Sequence, residues 1–318
     1  MLADEHMTLA NGFQRRSRRI VSPGVTQRSN GSRHPRLPEV ALFLATFVWG
    51  ASYFGTKVAM GLSDPLLYVG VRFAIAAALL ALVCRDALKQ VGRVECSSMV
   101  AVGLPMAVAY VCQAAGMKEI DSSKSAFIAA LHVPLVPILQ LALMSVAPPG
   151  STWLGVALCL LGLLLLAGPG ALVASLASGE FLTVVSTVAI ALEIVMIGLF
   201  APRVNVQAAS VLQLVFVAAS ALVAAALWGD GVPRRLPAGF WPLVAALGIA
   251  IAAMQVLMNW AQQTVSPTRA TLIYAMEPVW AGAIGWFAGE RLGIVAWAGC
   301  GLIILGVLAS EWHPRERS

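Results

Sequence analysis

An all-α integral membrane protein, with ten transmembrane helices arranged as two inverted five-helix repeats around a central cavity, is the fold predicted for this 318-residue chain. Three observations predict it: a lipid-compatible composition, ten apolar stretches of near-membrane length, and an internal repeat relating the first five stretches to the last five.

Hydrophobic residues make up 59% of the chain and charged residues 11%, against roughly 45–50% and about 25% in soluble domains. A soluble fold must cover its surface with polar groups, so so large an excess puts apolar surface against lipid. The net charge of +6 does not point to nucleic acid. Arg15, Arg16, Arg18, Arg19, Arg28, Arg33 and Arg36 all precede the first apolar stretch, and the other basic residues are scattered over short connections. They read as a topology signal with attraction to anionic head groups. The five cysteines form no CxxC pair, so neither a disulfide framework nor a zinc site is indicated, and no cofactor is expected.

A helix crossing the roughly 30 Å hydrocarbon layer needs about 20 mostly apolar residues. Ten candidates run Val40–Met60, Pro65–Val83, Met99–Ala115, Ser125–Met144, Trp153–Ala167, Phe181–Ala201, Ala208–Trp228, Trp241–Trp260, Thr271–Phe287 and Ile294–Ala309. Residues 1–38 lack the apolar core of a signal peptide and read as a basic, disordered cytoplasmic arm. Residues 39–168 form the first repeat, 169–310 the second, and 311–318 a cytoplasmic tail. Lys and Arg are richer on the side of the termini only because of the two tails, and the arm carries the orientation.

The stretches that end the two halves read alike. TWLGVALCLLGLLLL from Thr152 aligns with AWAGCGLIILGVLAS from Ala296, pairing Trp153 with Trp297, Gly155 with Gly299 and Gly162 with Gly306. A shift of one residue pairs Gly103 with Gly248, Tyr110 with Gln255, Lys124 with Arg269 and His132 with Glu277. Five helices per unit is an odd number, so the second copy enters the membrane upside down. Many secondary transporters have this arrangement, with a site near the midplane between the copies.

Local motifs point the same way. WGASYFGTK spans Trp49–Lys57, Pro65 is followed by Arg72, and MEPVWAG (Met276–Gly282) precedes Gly289-Glu290-Arg291-Leu292. In this order the chain resembles the EamA-type branch of the drug/metabolite transporter superfamily over about residues 39–310. The resemblance implies ten helices, cytoplasmic termini, a cavity opening alternately to either side, and export or exchange of amino acids and other small metabolites. Two departures stand out: the first half reads SVAPPG (Ser145–Gly150) where a GERL close is common, and the sixth span carries Glu193.

An ionisable side chain at mid-membrane costs about 2.5–3.5 kcal/mol, so it normally faces a partner or a wet cavity. Arg72, His132, Glu193 and Glu277 qualify by depth. Glu277 precedes Pro278, which frees carbonyls of the previous turn, and a carboxylate there can bind an ammonium group or a proton. Its structural alternative is a hydrogen bond to a neighbouring helix. His132 reads as a neutral core histidine or as a proton relay. Glu193 is a candidate for coupling or cation binding. Arg72 reads as a structural cation paired with a carboxylate or a helix C-terminus, and Lys57 as snorkelling to the interface.

Uncharged polar residues fall on helical faces. Trp49, Tyr53 and Lys57 recur every four residues with Ser52 beside them; Tyr110 and Gln113 sit one turn apart, as do Gln255 and Asn259, and Tyr274 lies one turn before Glu277. Facing inward, they would line a pocket for a small amphipathic solute; hydrogen bonds between helices are the other explanation of the amides. The expected substrate-binding set is Trp49, Ser52, Tyr53, Tyr110, Gln113, His132, Glu193, Gln255, Asn259, Tyr274 and Glu277. The expected partners are a small-molecule substrate, the lipid bilayer and protons as a coupling ion. A secondary transporter in the inner or plasma membrane is the reading, with a lipid-handling or non-transporting membrane protein as the alternative. No HExxH, GxSxG or Walker A pattern occurs, which argues against an enzyme and against ATP drive by this chain.

Overall fold

The computed structural model describes residues 37–120, 122–167, 178–228, 236–287 and 293–311. The expectations for the N-terminal arm, for the C-terminal tail and for the Gly289–Leu292 motif lie outside these residues.

The first half contains α1 (Leu37–Met60), α2 (Pro65–Val83), α3 (Arg93–Glu119), α4 (Ser122–Ala130), α5 (His132–Met144) and α6 (Gly150–Ala167). The second contains α7 (Ser178–Phe200), α8 (Val206–Trp228), α9 (Phe240–Ala261), α10 (Pro267–Tyr274), α11 (Glu277–Phe287) and α12 (Ile294–Glu311). Among the described residues there is no strand. Seven helical segments are long and apolar enough to cross a membrane, and two shorter apolar stretches lie in α6 and α12.

Helix starts follow local chemistry. Asp64 Oδ1 accepts from Leu66 N (2.9 Å) and Leu67 N (3.2 Å) with Pro65 as first residue of α2; Ser266 Oγ accepts from Arg269 N ahead of α10, which Pro267 opens. Both satisfy donors that the helix itself leaves unpaired.

Two expected spans are interrupted, where the sequence reading has them continuous. The fourth breaks at Leu131 and the ninth at Ala275–Met276. A proline ring clashes with the carbonyl four residues earlier. That carbonyl belongs to Ala130 for Pro134 and to Tyr274 for Pro278, and these are the last residues of α4 and α10. Each proline then falls in the first turn of the next segment, where its missing N–H costs nothing.

Large apolar side chains such as Leu44, Phe54, Leu82, Leu104, Val223 and Leu305 point outward, while Thr46, Arg72, Gln213, Gln255 and Asn259 are buried. That distribution is the one a lipid solvent selects. Trp153, Trp228, Trp241 and Trp297 are exposed toward helix ends, where indole rings suit the membrane interface.

The packing recurs with the halves exchanged. The α3–α7 contact has its counterpart in α9–α1, α3–α8 in α9–α2, and α5–α7 in α11–α1. The α2–α8 and α6–α12 pairs are their own counterparts. At the last of these, a Cβ on Gly162 would stand 2.6 Å from Gly299 O and 2.8 Å from Ile303 N; one on Gly306 would stand 2.8 Å from Gly155 O and 2.9 Å from Cys159 N. Only glycine permits such backbone approach, a common device where helices meet in lipid.

Candidate functional site

The two helix breaks face each other at the centre of the bundle. His132 opens α5 and Glu277 opens α11, and both line one cavity together with Trp49 and Tyr53 of α1, Ala109, Tyr110 and Gln113 of α3, Ala129 of α4, and Ile190 of α7. The cavity is small, with room for roughly one water molecule. A larger solute does not fit the cavity as it stands.

Packing of α1 on α11 sets the position of Glu277. A Cβ on Gly50 would lie 2.8 Å from Glu277 O and 2.9 Å from Trp280 Cβ, so the glycine allows the approach. Trp280 then sits edge-on against Phe43 and Phe47, and its Nε1–H donates to Thr46 Oγ1 at 2.9 Å. The WG opening and the EP step are thus two sides of one contact.

Inside the cavity the polar groups form a chain. Gln113 Nε2 donates to Tyr53 Oη at 3.0 Å, and the Tyr53 hydroxyl is a close neighbour of the Glu277 carboxyl. The Trp49 indole and the Tyr110 hydroxyl face the same space. His132 Nδ1 lies 2.8 Å from Ala129 O, and a carbonyl can only accept, so Nδ1 carries the proton. Nε2 of the neutral ring is left as an acceptor with no protein partner. Glu277 is 7% exposed and His132 3%. The centre therefore presents two acceptors, His132 Nε2 and the Glu277 carboxylate, beside three aromatic rings.

The family model described as EamA-like transporter family matches residues 36–168 and again residues 177–311. The chain belongs to the EamA-like transporter family. It is accordingly a multi-pass membrane protein of the transporter kind, with one family repeat in each half. A solved structure titled "Crystal structure of protein" superposes with a TM-score of 0.71 at 17% identity, covering 86% of this chain and 97% of the other. That likeness concerns the fold. A comparison with curated proteins found no match.

Six residues of the expected binding set line the cavity of this EamA-family chain: Trp49, Tyr53, Tyr110, Gln113, His132 and Glu277. The other five are placed elsewhere. Ser52 Oγ donates to Trp49 O at 2.8 Å. Tyr274 stacks edge-on against the far side of Trp49, with ring centroids 5.4 Å apart. Glu193, 1% exposed, lies behind the lining within electrostatic reach of the Tyr110 and Tyr274 hydroxyls. Gln255 and Asn259 sit in the α8–α9 seam, where Nε2 of the first (2.8 Å) and Nδ2 of the second (2.9 Å) both donate to Gln213 Oε1. Gln213 Nε2 donates on to Ser98 Oγ of α3 at 3.0 Å, and Asn259 also reaches Ser210. This network corrects the inward-facing expectation for the α9 amides: they join helices. Gln213 and Ser210 are one turn apart on one face, the same signal that singled out Gln255 and Asn259.

Two cations also depart from expectation. Arg72 has no carboxylate within ion-pair distance among the described residues and meets no helix end. Its Nη1 donates to Tyr68 Oη (3.0 Å), its Nε to Leu247 O in the middle of α9 (3.3 Å), and the guanidinium lies over the Tyr68 and Tyr110 rings. Lys57 does not snorkel: Nζ donates to Met117 O and Ile120 O, both at 2.8 Å, capping the C-terminus of α3. A lysine at a helix C-terminus satisfies free carbonyls and meets the negative end of the helix dipole.

Proposed function

We propose that this chain is a secondary transporter of small solutes that carry a protonated amino group, amino acids and related amphipathic compounds foremost, working by alternating access. One observation carries the reading: the unpartnered His132 Nε2 and the Glu277 carboxylate converge on one cavity walled by Trp49, Tyr53 and Tyr110. An ammonium offers only donors, which suits a site made of acceptors. Aromatic faces attract a cation further, by about 0.5–2 kcal/mol per well-placed ring.

The exchange of packing partners between the halves supports an inverted repeat of ten spans, since five segments per half reverse direction at the next copy. The interrupted pairs α4–α5 and α10–α11 are then the hinges through which the cavity opens. Cytoplasmic termini are the orientation that the arginine-rich arm favours, and export or exchange at the inner or plasma membrane is what the family resemblance implies.

Counterflow in proteoliposomes tests the assignment. Vesicles loaded with an amino acid or amine should take up its labelled form, and Glu277→Gln should reduce that uptake severalfold. Uptake equally fast with Gln at this position, or counterflow only of solutes without an amino group, would overturn it.

A further inference from the structure

Behind the Trp49 wall lies a second polar region that the cavity does not include. Gln262 caps the C-terminus of α9 and is 2% exposed, yet neither Nε2 nor Oε1 has a hydrogen-bond partner. Tyr274 Oη and Thr271 Oγ1, one turn apart on α10 and fully buried, are unpartnered as well. Gln262 and Tyr274 are neighbours, and the Glu193 carboxylate is within electrostatic reach of Tyr274. A Cβ on Gly198 would stand 3.3 Å from Gln262 Oε1, which locates the amide against α7, the helix that carries Glu193.

So many unpaired polar atoms in a buried place are costly, because each has lost its water without gaining a partner. The set contains donors and acceptors together. A metal cation would satisfy the oxygens and leave Gln262 Nε2 unpaired; water satisfies both kinds. We propose that Gln262, Tyr274 and Glu193 form a hydrated route by which protons pass between the α9–α10 turn and the central cavity.

One end of the route meets the surface, for Gln263 and Thr264, next in the chain, are exposed. The other end is the thickness of one ring from the cavity, through the Trp49–Tyr274 pair. A proton arriving on water at the turn passes to a Glu193 oxygen and leaves to water on the cavity side. Groups on the packed elements do not neutralise Glu193. Tyr110 of α3 and Tyr274 of α10 face it; His132 of α5 and Glu277 of α11 lie in the cavity beyond. Arg93, Glu95, Lys118, Glu119, Glu180, Arg203 and Arg269 are at helix ends, and α9 contributes no ionisable side chain.

The route exists on one face only. In the register pairing His132 with Glu277, the counterparts of Gln262, Thr271 and Tyr274 are Met117, Ala126 and Ala129, all buried and apolar. At these three positions the first half carries apolar side chains where the second carries polar ones. That asymmetry gives a carrier built from two similar halves a fixed side for proton entry.

Two measurements test the proposal, the second resting on the transporter reading and the first independent of it. Hydroxyl-radical footprinting of the full chain in nanodiscs oxidises side chains that touch water. Tyr274 should be labelled severalfold faster than Phe73, an equally buried ring, and Gln262→Leu should slow its labelling. Equal protection of Tyr274 and Phe73 would sink the hydrated route. In proteoliposomes, Gln262→Leu should keep counterflow near the wild-type rate while accumulation driven by a pH gradient falls severalfold; Glu193→Gln should lose that accumulation too. Unchanged accumulation in Gln262→Leu removes the proton role. Absence of counterflow in the wild type would instead strike the transporter reading, leaving hydration to be decided by footprinting.

Discussion

His132 and Glu277 hold equivalent places in the two halves: each is the first residue after a helix break, and each turns its side chain into the same cavity. The chemistry at the two places differs. An imidazole acceptor faces a carboxylate across a space walled by aromatic rings, so a fold with two similar halves contains a site with two unlike ends.

If the imidazole acceptor matters, its replacement should change affinity more than folding. His132→Ala leaves Ala129 O without its Nδ1–H donor across the α4–α5 break but removes no bond to another part of the bundle. The expected outcome in counterflow is a severalfold higher KM for amino-group solutes with a melting temperature in detergent close to that of the parent. A shifted melting temperature with unchanged KM would assign His132 to structure.

The reciprocal seating of Gly162 on Gly299 and of Gly306 on Gly155 predicts matched effects. Gly162→Val and Gly306→Val each force the α6 and α12 backbones apart, at a cost of about 1–3 kcal/mol. Thermal unfolding should show two destabilisations of similar size. Together they should destabilise by other than the sum of the two, because both act on one interface.

Gln213 joins three helices through Ser98, Gln255 and Asn259. Gln213→Leu leaves three buried polar side chains short of a partner, so stability should fall by about 1–3 kcal/mol, more than in Ser98→Ala. Since the network stands outside the cavity, KM in counterflow should stay at the parent value. A raised KM at unchanged stability would return Gln255 and Asn259 to the binding set.

Arg72 is held by directional bonds and ring faces without a carboxylate. Arg72→Lys keeps the charge but loses the planar fork that reaches Tyr68 and Leu247 at once. The lysine variant should therefore be destabilised almost as much as Arg72→Met, by about 1–3 kcal/mol in thermal unfolding. Full stability in the lysine variant would show that charge alone suffices.

Much of the architecture was legible because lipid imposes a simple rule on sequence. The second span was read at the bounds the structure shows, Pro65–Val83, since Asp64, Pro65 and the polar residues after Cys84 mark both ends. The third was read short, as Met99–Ala115, because Cys96–Ser98 and Met117–Glu119 are helical but not uniformly apolar. The breaks at Leu131 and Ala275–Met276 were less visible. Pro134 and Pro278 announce them, but whether a proline kinks a helix or ends it depends on what receives the freed carbonyls. In the cavity, the i, i+4 spacing of Trp49 and Tyr53 identified an inward face; Gln255 and Asn259 have the same spacing and met Gln213 instead.

Hydropathy, the order of motifs and the register between the halves determined from sequence alone that this chain is a membrane-embedded bundle with the EamA pattern, because the cost of exposing polar groups to lipid is set residue by residue. Only the tertiary structure decided which polar faces share a cavity and which serve as seams. Helical periodicity states the side of a helix on which a residue lies, but the neighbour opposite that side is chosen by how all the helices pack.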